Sequence, residues 1–378
     1  MPVFRVPLQA AIDESYDIEI GARLFDRLVA DLQAGLLAGV HRLAVITDRT
    51  VEELYGRELL ALLDHAGIKA SMFSFPAGER YKTRETKAAL EDKLIEARYG
   101  RDCAVLALGG GVVSDLAGFL AGTFARGVPF VIYATTLLAA ADASIGGKTA
   151  VDTPHATNLI GLFHQPRKVY IDTHAWNTLP LEEIRGGLAE TVKHACLGDA
   201  SFFDYLETHV GSFLEAAADK KPLDPAIAAH VAEKNCAIKY RVVAGDVREA
   251  NLRQVLNLGH TLGRALEPLM QYRFSHGQAV AVGLAFQLRL GRRYGYVAEG
   301  EAKRVIALLK RIGLPVTIPA VISPAAIVDK MHTDKKTRRD EIRFVFQKGI
   351  GEMMRFENGA WARGVPEADI EAALKDSY

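Results

Sequence analysis

The sequence predicts a fold in two parts, an α/β domain with a Rossmann-like parallel sheet followed by an all-α domain. Short apolar runs alternate with helical patterns over residues 1–179, which is typical of a parallel sheet covered by helices on both faces. From residue 180 onward, apolar residues recur almost throughout at helical spacing. We therefore predict domains of residues 1–179 and 180–378, with the boundary at Leu179-Pro180.

The elements of the first domain follow from the alternation of these patterns. Apolar runs predict strands, and amphipathic or charged stretches between them predict helices. The predicted strands are 43–47, 68–74, 104–108, 130–133 and 169–171, and the predicted helices are 50–66, 83–99 and 112–124. Segments 3–8 and 16–20 are expected to add a hairpin at the sheet edge.

The second domain shows helical spacing with a single strand-like run near its end. The predicted helices are 182–196, 201–218, 224–241, 257–270, 276–296, 300–312 and 323–331, and the strand is 342–346.

Composition excludes several classes of protein. Lysine plus arginine equals aspartate plus glutamate, 46 against 46, which argues against a nucleic-acid-binding or polybasic membrane surface. Cys103, Cys196 and Cys236 are far apart, as expected for a reduced cytoplasmic protein. The N-terminus has no signal-peptide pattern, and no apolar run is long enough to span a bilayer.

A glycine-rich turn follows the predicted strand 104–108. Gly109, Gly110 and Gly111 precede a predicted helix, where the backbone can approach a ligand and the helix N-terminus favours an anion. A dinucleotide pyrophosphate suits this turn, but the full Gly-x-Gly-x-x-Gly pattern is absent, so a tight turn with close helix packing is the alternative. Asp48, after the first buried strand, is suited either to bind a ribose hydroxyl or to cap the following helix.

A second loop places Lys148 directly after Gly146 and Gly147. A lysine behind two glycines suits a phosphate or another anion, and Asn158 nearby supplies an amide donor. The earlier glycine of a nucleoside-triphosphatase loop is missing, which disfavours that class.

Glu190, His260 and His276 form a candidate metal set. One carboxylate and two imidazoles suit zinc with open positions for substrate, and both histidines stand at predicted helix starts beside glycine. The alternative is that the histidines are structural and Glu190 is a surface residue. Lys193 lies three residues after Glu190, so it shares that helix face and would face the same cavity.

Several motifs occur in the order found in one known family. They are GGGVVSDLAGF at 109–119, SIGGKT at 144–149, NLIG at 158–161, GLAETVK at 187–193, LNLGHT at 256–261, HG at 276–277 and DKK at 334–336. With them the chain resembles the 3-dehydroquinate synthases and the wider sugar phosphate cyclases from about Tyr16 to Gly351. The resemblance implies an NAD-binding α/β domain, an α-helical domain, an active site in the cleft between them, and a homodimer.

The same resemblance implies bound NAD⁺, a divalent metal (zinc or cobalt) and specific site residues. The implied metal ligands are Glu190, His260 and His276. The implied cofactor contacts are Asp48, Glu79, Lys82, Gly110, Gly111, Asp115, Thr135, Thr136 and Thr178. The implied substrate contacts are Arg126, Asp142, Lys148, Asn158, Lys193, Lys239, Glu249, Arg253, Asn257 and a lysine of the pair Lys335 and Lys336.

The implied activity is that of a lyase of aromatic amino acid biosynthesis. It converts 3-deoxy-D-arabino-heptulosonate 7-phosphate to 3-dehydroquinate and phosphate by oxidation, phosphate elimination, reduction and aldol closure. A small sugar phosphate would be the partner, with neither nucleic acid nor membrane involved.

The chain departs from the family pattern at positions that bear on the substrate. Arg264 stands where the synthases have a histidine, and Thr157 stands where they have a lysine. Arginine only donates hydrogen bonds and stays charged, so Arg264 suits a phosphate or carboxylate clamp and not a base. Ser114 and Gln278 replace a glycine and a glutamate in ways the fold tolerates.

These departures leave three alternatives to a dehydroquinate synthase. The first is a cyclase for another sugar phosphate, such as sedoheptulose 7-phosphate. The second is a metal-dependent polyol dehydrogenase, which the many cations disfavour, and the third is a non-catalytic ligand-binding relative.

Overall fold

The computed structural model describes residues 13–154, 156–271, 273–332 and 341–378. In chain order, the strands of the first half are β1 (Asp17–Gly21), β2 (Arg42–Asp48), β3 (Ala70–Phe75), β4 (Cys103–Gly109), β5 (Phe130–Ala134), β6 (Lys148–Val151), β7 (Ile160–Phe163) and β8 (Lys168–Asp172). Six of them form one sheet in the order β1-β8-β5-β4-β2-β3, with every pairing parallel. The predicted parallel sheet is confirmed.

Helices cover both faces of this sheet. They are α1 (Phe25–Gln33), α2 (Arg49–Val51), which continues through a π turn at Glu52–Gly56 into α3 (Arg57–His65), then α4 (Arg84–Glu96) and α5 (Gly111–Thr123). On β4, Val105 belongs to the apolar cluster that contains α5, whereas Leu106 belongs to the cluster that contains α1 and α3. This alternation explains why the strand is a continuous apolar run, since both of its faces are buried.

The sheet edge differs from the predicted hairpin. β1 is an edge strand, but it runs parallel to β8, with Asp17 opposite Lys168. Its carboxylate Glu19 pairs with Lys168 at 2.6 Å, which supports that register. Segment 3–8, the other half of the expected hairpin, lies outside the described residues.

Strands β6 and β7 form a separate antiparallel pair that the sequence did not predict. β6 begins at Lys148, and the loop between the two strands carries Asn158. The pair packs against α5, where Gly118 leaves room for Thr149: an added Cβ would lie 2.4 Å from its methyl group.

The second half is helical, as predicted. Its helices are α6 (Leu181–Gly198), α7 (Ala200–Ala218), α8 (Pro225–Gly245), α9 (His260–Leu269), α10 (His276–Arg293), α11 (Glu299–Ile312), α12 (Pro324–His332) and α13 (Glu367–Lys375). Among the described residues, no helix combines the length and apolar character needed to cross a membrane.

Short antiparallel pairs add to these helices near the end of the chain. The strands are β9 (Arg343–Val345), β10 (Gln347–Gly349), β11 (Glu352–Met353) and β12 (Ala362–Gly364), paired as β9 with β12 and β10 with β11. Only the first of them was predicted, because runs of two or three residues carry too little periodicity to be recognised. Helix α13 was also missed.

Candidate active site

Glu190, His260 and His276 meet at one point although they come from three different helices. Nε2 of His260 lies 3.4 Å from Oε1 of Glu190, and Nε2 of His276 lies 3.2 Å from the same oxygen. One ligand atom from each residue lies within 4.8 Å of the others. Glu190 is fully buried in the middle of α6, so the alternative that it is a surface residue is wrong.

Two glycines allow these helices to come together. Gly259 has a φ of +78°, which lets the chain turn sharply into α9 at His260. This explains why the predicted helix 257–270 begins only at His260. At the start of α10, a Cβ on Gly277 would lie 2.4 Å from Cα of Gly186, so only glycine allows α10 to approach α6 this closely.

The outer ring nitrogens of both histidines are held by protein acceptors. Nδ1 of His260 donates to the backbone carbonyl of Leu258 at 3.1 Å, and Nδ1 of His276 donates to Oε1 of Glu267 at 2.6 Å. Each ring therefore turns Nε2 towards Glu190. Such outer-shell hydrogen bonds select the tautomer and orient histidines that bind a metal.

The different outer partners give the two histidines opposite pKa shifts. Burial opposes protonation of His276, but the charge of Glu267 and a hydrogen bond to Glu190 raise its pKa to about 10. Burial holds the pKa of His260 well below its usual value, with Glu190 only partly offsetting this effect. Burial would also raise the pKa of Glu190, but Lys193 and His260 hold it below its ordinary value.

A network of opposite charges continues from the carboxylate of Glu190. The ammonium of Lys193 forms an ion pair with Glu190 and lies 3.9 Å from Oδ1 of Asp142. Lys239 donates to the same oxygen at 2.6 Å and also contacts the backbone carbonyl of Asp142. Although burial would raise the pKa of Asp142, Lys239 and Lys193 hold it well below its usual value. Asp142 stands in a π-helical turn, Ala139–Ala143, a local distortion frequent at functional sites.

A cavity of about 900 Å³ adjoins this network and is lined by one of the two histidines, His260. Most of the predicted substrate contacts line it: Asp142, Lys148, Asn158, Lys239, Glu249, Arg253, Asn257 and Arg264, together with His260 and Asp115. Lys148 pairs with Oε2 of Glu249 at 2.5 Å, and Asn257 donates to Oε1 of Glu249 at 3.0 Å. Burial lowers the pKa of Lys148 to about 7, although Glu249 opposes that shift.

Arg253 holds the glycine loop in front of Lys148. Its guanidinium donates to the carbonyls of Gly146 at 2.9 Å and Val247 at 2.7 Å, and the residue is 1% exposed. Gly146 has a φ of +99°, and an added Cβ would lie 2.3 Å from Nη2 of Arg253. The glycine therefore lets the arginine reach the loop backbone.

The glycine turn lies where the order of the sheet reverses, between β2 and β4. Ligands of open α/β sheets bind at the carboxyl ends of strands at such a point. Helix α5 begins directly after Gly110, whose Cβ would lie 3.0 Å from the side chain of Thr136. Thr135, on the neighbouring strand end, is buried and donates its backbone N–H to Gly109 at 3.0 Å. Oδ1 of Asp48 caps α2 by accepting the N–H of Val51 at 3.1 Å, so the predicted capping role is confirmed and the ribose contact stays a prediction.

Lys82 is buried at the centre of a cluster of acidic side chains next to the turn. It pairs with Glu79 at 2.5 Å and with Asp115 at 3.5 Å, and it donates to Oδ1 of Asn158 at 3.0 Å. Burial raises the pKa of Asp115 to about 7, with Lys82 opposing the shift. Thr178 stands apart from this cluster, with its hydroxyl 2.7 Å from that of Tyr55.

Two predicted substrate contacts within the described residues, Arg126 and Lys193, do not line the cavity; Lys193 is fully buried beside Glu190. Arg126 is exposed on the 3₁₀ turn after α5, at the end of that helix opposite the glycine turn. Lys335 and Lys336 lie outside the described residues. Their roles stay predictions.

Sequence reasoning missed Glu267, His194 and Asp152. Glu267 looks like an ordinary helix residue, and no signal in the sequence ties it to His276. His194 directly follows Lys193, which was a usable signal: its Nδ1 lies 2.9 Å from Oδ1 of Asn235, and burial lowers its pKa to about 4. Together with Asp142 and Glu190 it forms a second cluster of metal-ligand type. Asp142, the carboxylate specific to this second cluster, is already paired with Lys239 and lies close to Lys193, which disfavours a cation there.

Comparisons with known proteins find relatives that match nearly the whole chain. Residues 72–186 match the family description "3-dehydroquinate synthase N-terminal", and residues 187–337 match "3-dehydroquinate synthase C-terminal". The 3-dehydroquinate synthase of Pelobacter propionicus is 43% identical over 90% of this chain and 92% of its own. That of Desulforamulus reducens is 39% identical over 96% of this chain and 97% of its own.

Solved structures share the fold. A 2-epi-5-epi-valiolone synthase from Streptomyces hygroscopicus with NAD⁺ and Zn²⁺ bound has a TM-score of 0.85 at 28% identity, and the match covers 99% of both chains. The butanol dehydrogenase A of Thermotoga maritima shares the fold alone, with a TM-score of 0.70 at 17% identity over 98% of both chains. The matched regions and the identity to curated relatives place this chain in the 3-dehydroquinate synthase family.

Proposed function

We propose that this chain is an NAD- and metal-dependent lyase that converts 3-deoxy-D-arabino-heptulosonate 7-phosphate to 3-dehydroquinate and phosphate. The observation that carries the proposal is the meeting of Glu190 and His276 with His260, which lines a cavity rich in cationic side chains. Relatives described as 3-dehydroquinate synthases, which are 39–43% identical over at least 90% of the chain, support the same substrate.

The three converging side chains fit a divalent metal. Both imidazoles present Nε2 to one oxygen of Glu190, and both Nδ1 atoms are already engaged. A carboxylate and two imidazoles suit zinc or cobalt and leave positions for substrate oxygens, and a bound ion would take the place of the proton on Nε2 of His276. We assign Glu190, His260 and His276 as the ligands.

The turn at Gly110 and Gly111 fits the pyrophosphate of NAD⁺. A Cβ at Gly110 would press on Thr136, and the start of α5 offers free backbone N–H groups to an anion. We assign the remaining cofactor contacts around this turn to Asp48, Glu79, Lys82, Gly111, Asp115, Thr135, Thr136 and Thr178. When bound, NAD⁺ supplies a hydride acceptor and the metal supplies a Lewis acid.

Residues of this chain are placed to bind the substrate phosphate and to accept a hydrogen bond from a substrate hydroxyl. Lys148, Asn158 and Arg264 present a cationic and amide surface suited to the phosphate, and Asn257 is oriented by Glu249 beside them. Lys193 keeps the Glu190 carboxylate ionised, and Lys239 does the same for Asp142. An ionised Asp142 at the cavity wall is placed to accept a hydrogen bond from a substrate hydroxyl.

We further propose a cytoplasmic homodimer with its domain boundary at 179/180. Cys103, Cys196 and Cys236 are free and buried, which suits a reducing compartment. Arg126 is exposed outside the cavity of its own chain, so the predicted substrate contact requires a second copy. Analytical ultracentrifugation, with activity of a mixture of Arg126→Ala and Lys148→Ala chains, tests this dimer. Activity restored in the mixture would support an active site formed by residues of both chains. A mixture without activity would refute it.

Phosphate release tests the proposed activity. The protein is incubated with NAD⁺, Zn²⁺ and 3-deoxy-D-arabino-heptulosonate 7-phosphate, and both inorganic phosphate and 3-dehydroquinate are measured. We expect stoichiometric formation of the two products without net NADH, because the hydride returns within each turnover. The variant His260→Ala should abolish turnover. The control variant His41→Ala, outside the site, should retain it.

A cyclase for another sugar phosphate is the second candidate, favoured by Arg264 and by the structural likeness to a 2-epi-5-epi-valiolone synthase. If the protein turns over sedoheptulose 7-phosphate but not 3-deoxy-D-arabino-heptulosonate 7-phosphate, this second proposal replaces the first. Net NADH from a simple alcohol would instead identify a polyol dehydrogenase.

A further inference from the structure

A closed ring of hydrogen bonds joins Lys82, Asp152 and Asn158. The backbone N–H of Asp152 donates to the carbonyl of Lys82 at 2.7 Å. Oδ1 of Asp152 accepts the backbone N–H of Asn158 at 2.8 Å, and Oδ1 of Asn158 accepts from Nζ of Lys82 at 3.0 Å. Lys82 is 4% exposed and Asp152 is 7% exposed, so two of the three residues of the ring are shielded from water, while Asn158 is partly exposed at the cavity.

Lys82 determines which way the carboxamide of Asn158 faces. A lysine ammonium only donates hydrogen bonds, so the amide oxygen must be the atom that faces it. The NH₂ group then points away from Lys82, and Asn158 lines the cavity. Among the described residues, no acceptor bonds this NH₂ group, which makes it a donor available to an anionic oxygen.

Asp152 holds the backbone that carries this amide. Asn158 has a φ of +54°, a left-handed conformation that is uncommon for non-glycine residues, although asparagine adopts it more readily than most. Its N–H is fixed by the carboxylate of Asp152. Thr153 closes the rest of the turn, donating its N–H to Ala156 and accepting the N–H of Ala156, both at 3.0 Å.

We propose that Asp152 is a positioning residue for phosphate binding: its carboxylate holds Asn158 in the left-handed conformation in which Lys82 turns the amide NH₂ towards the substrate. The ring thereby connects a cofactor-side lysine to a substrate-side amide. The inference rests on the proposed function, since it takes the cavity as the site of the substrate phosphate.

Equilibrium binding of inorganic phosphate to the protein loaded with NAD⁺ and Zn²⁺ tests this role without requiring turnover. Asp152→Ala removes the acceptor of the Asn158 N–H, whereas Asp152→Asn keeps an acceptor oxygen and removes only the charge. We expect Asp152→Ala to weaken phosphate binding by about tenfold or more and Asp152→Asn by less than about threefold. Asp199→Ala is the matched control: Asp199 also accepts a backbone N–H, at 2.9 Å, and pairs with a lysine, at 2.7 Å, but lies outside the cavity lining.

A double-mutant cycle separates positioning from a general structural effect. If Asp152 acts through Asn158, removing Asp152 should have no effect once Asn158 is gone. The double variant Asp152→Ala/Asn158→Ala should then bind phosphate as strongly as the single variant Asn158→Ala. Additive losses, equal losses in Asp152→Asn and Asp152→Ala, or no phosphate binding by the parent protein would each overturn the proposal. Failure of the proposed function would show separately, as phosphate binding without turnover of the sugar phosphate.

Discussion

The carboxylate of Glu267 accepts a hydrogen bond from Nδ1 of His276 at 2.6 Å, behind the ring nitrogen that faces Glu190. His260 has only a backbone carbonyl, that of Leu258, in the same position. The metal site that we propose is therefore asymmetric: one imidazole is oriented by a buried negative charge and the other by a neutral dipole.

The first prediction concerns this carboxylate. Glu267→Gln should weaken zinc binding by about 10- to 100-fold, because the orienting charge behind His276 is lost. Competition with a chromogenic chelator measures the affinity directly. Glu299→Gln, at an exposed glutamate on α11, should leave it unchanged. Equal affinities in the two variants would show that Glu267 does not orient the ligand.

The second prediction concerns the contact between Gly277 and Gly186. In Gly277→Ala the added Cβ would lie 2.4 Å from the Gly186 backbone, so α10 must move away from α6. We expect a loss of about 1–3 kcal/mol in the free energy of unfolding, together with weaker metal binding, because His276 moves with α10. Denaturant unfolding with and without Zn²⁺ measures both effects.

The matched control is Gly300→Ala, also at the start of a helix. A Cβ at Gly300 meets no atom within 4 Å, so its free energy of unfolding should change by less than about 1 kcal/mol. Metal affinity unchanged in Gly277→Ala would mean that His276 does not depend on this close approach.

The third prediction is a pH dependence carried by Lys148. Burial lowers the pKa of this lysine to about 7, so it is charged below that pH and neutral above it. If its charge binds the substrate phosphate, kcat/KM should fall as the pH rises through about 7, since kcat/KM reports groups of the free enzyme. Lys148→Arg keeps its charge, so this fall should disappear. The same fall in the arginine variant would assign it to another group.

The fourth prediction concerns Arg264, whose charge contributes to the lowered pKa of Lys148. Arg264→His should raise KM for the sugar phosphate by about tenfold, because a charge-assisted contact is lost. It should also move the fall in kcat/KM to higher pH, because Lys148 loses a repulsive neighbour. Adding Thr157→Lys, next to Asn158, should return KM towards the parent value. A KM equally raised in the single and double variants would rule out compensation between positions 264 and 157.

Sequence patterns predicted most of the fold because, in a long segment, the spacing of apolar residues is enough to indicate a helix or a strand. The buried strand β4 and the helix α6 were both recognised from apolar spacing, within a few residues of their ends. The pair β6–β7 and the strands near the C-terminus were missed. These are short, and their pairing depends on what they pack against.

The residues of the candidate site likewise fall into those that the sequence could predict and those that it could not. Glu190, His260, His276 and Lys148 stand in local motifs whose residue types already indicate metal and anion chemistry, so they could be named as candidates without a structure. Glu267 and Asp152 stand in no such motif. Each acts on a partner side chain or backbone group, and the separation of Glu267 from His276 or of Asp152 from Lys82 along the chain carries no sign of contact.

The amino-acid sequence alone determined the fold class, the family and the chemical character of the site, because these depend on residue types in local patterns. Tertiary structure decided which way the side chains face: Glu267 towards His276, Lys82 towards Asn158, Arg253 into the glycine loop. The physical reason is that hydrogen bonds and close approaches such as Gly277 on Gly186 are made between helices and strands distant in sequence. They exist only once the apolar core has brought those elements together.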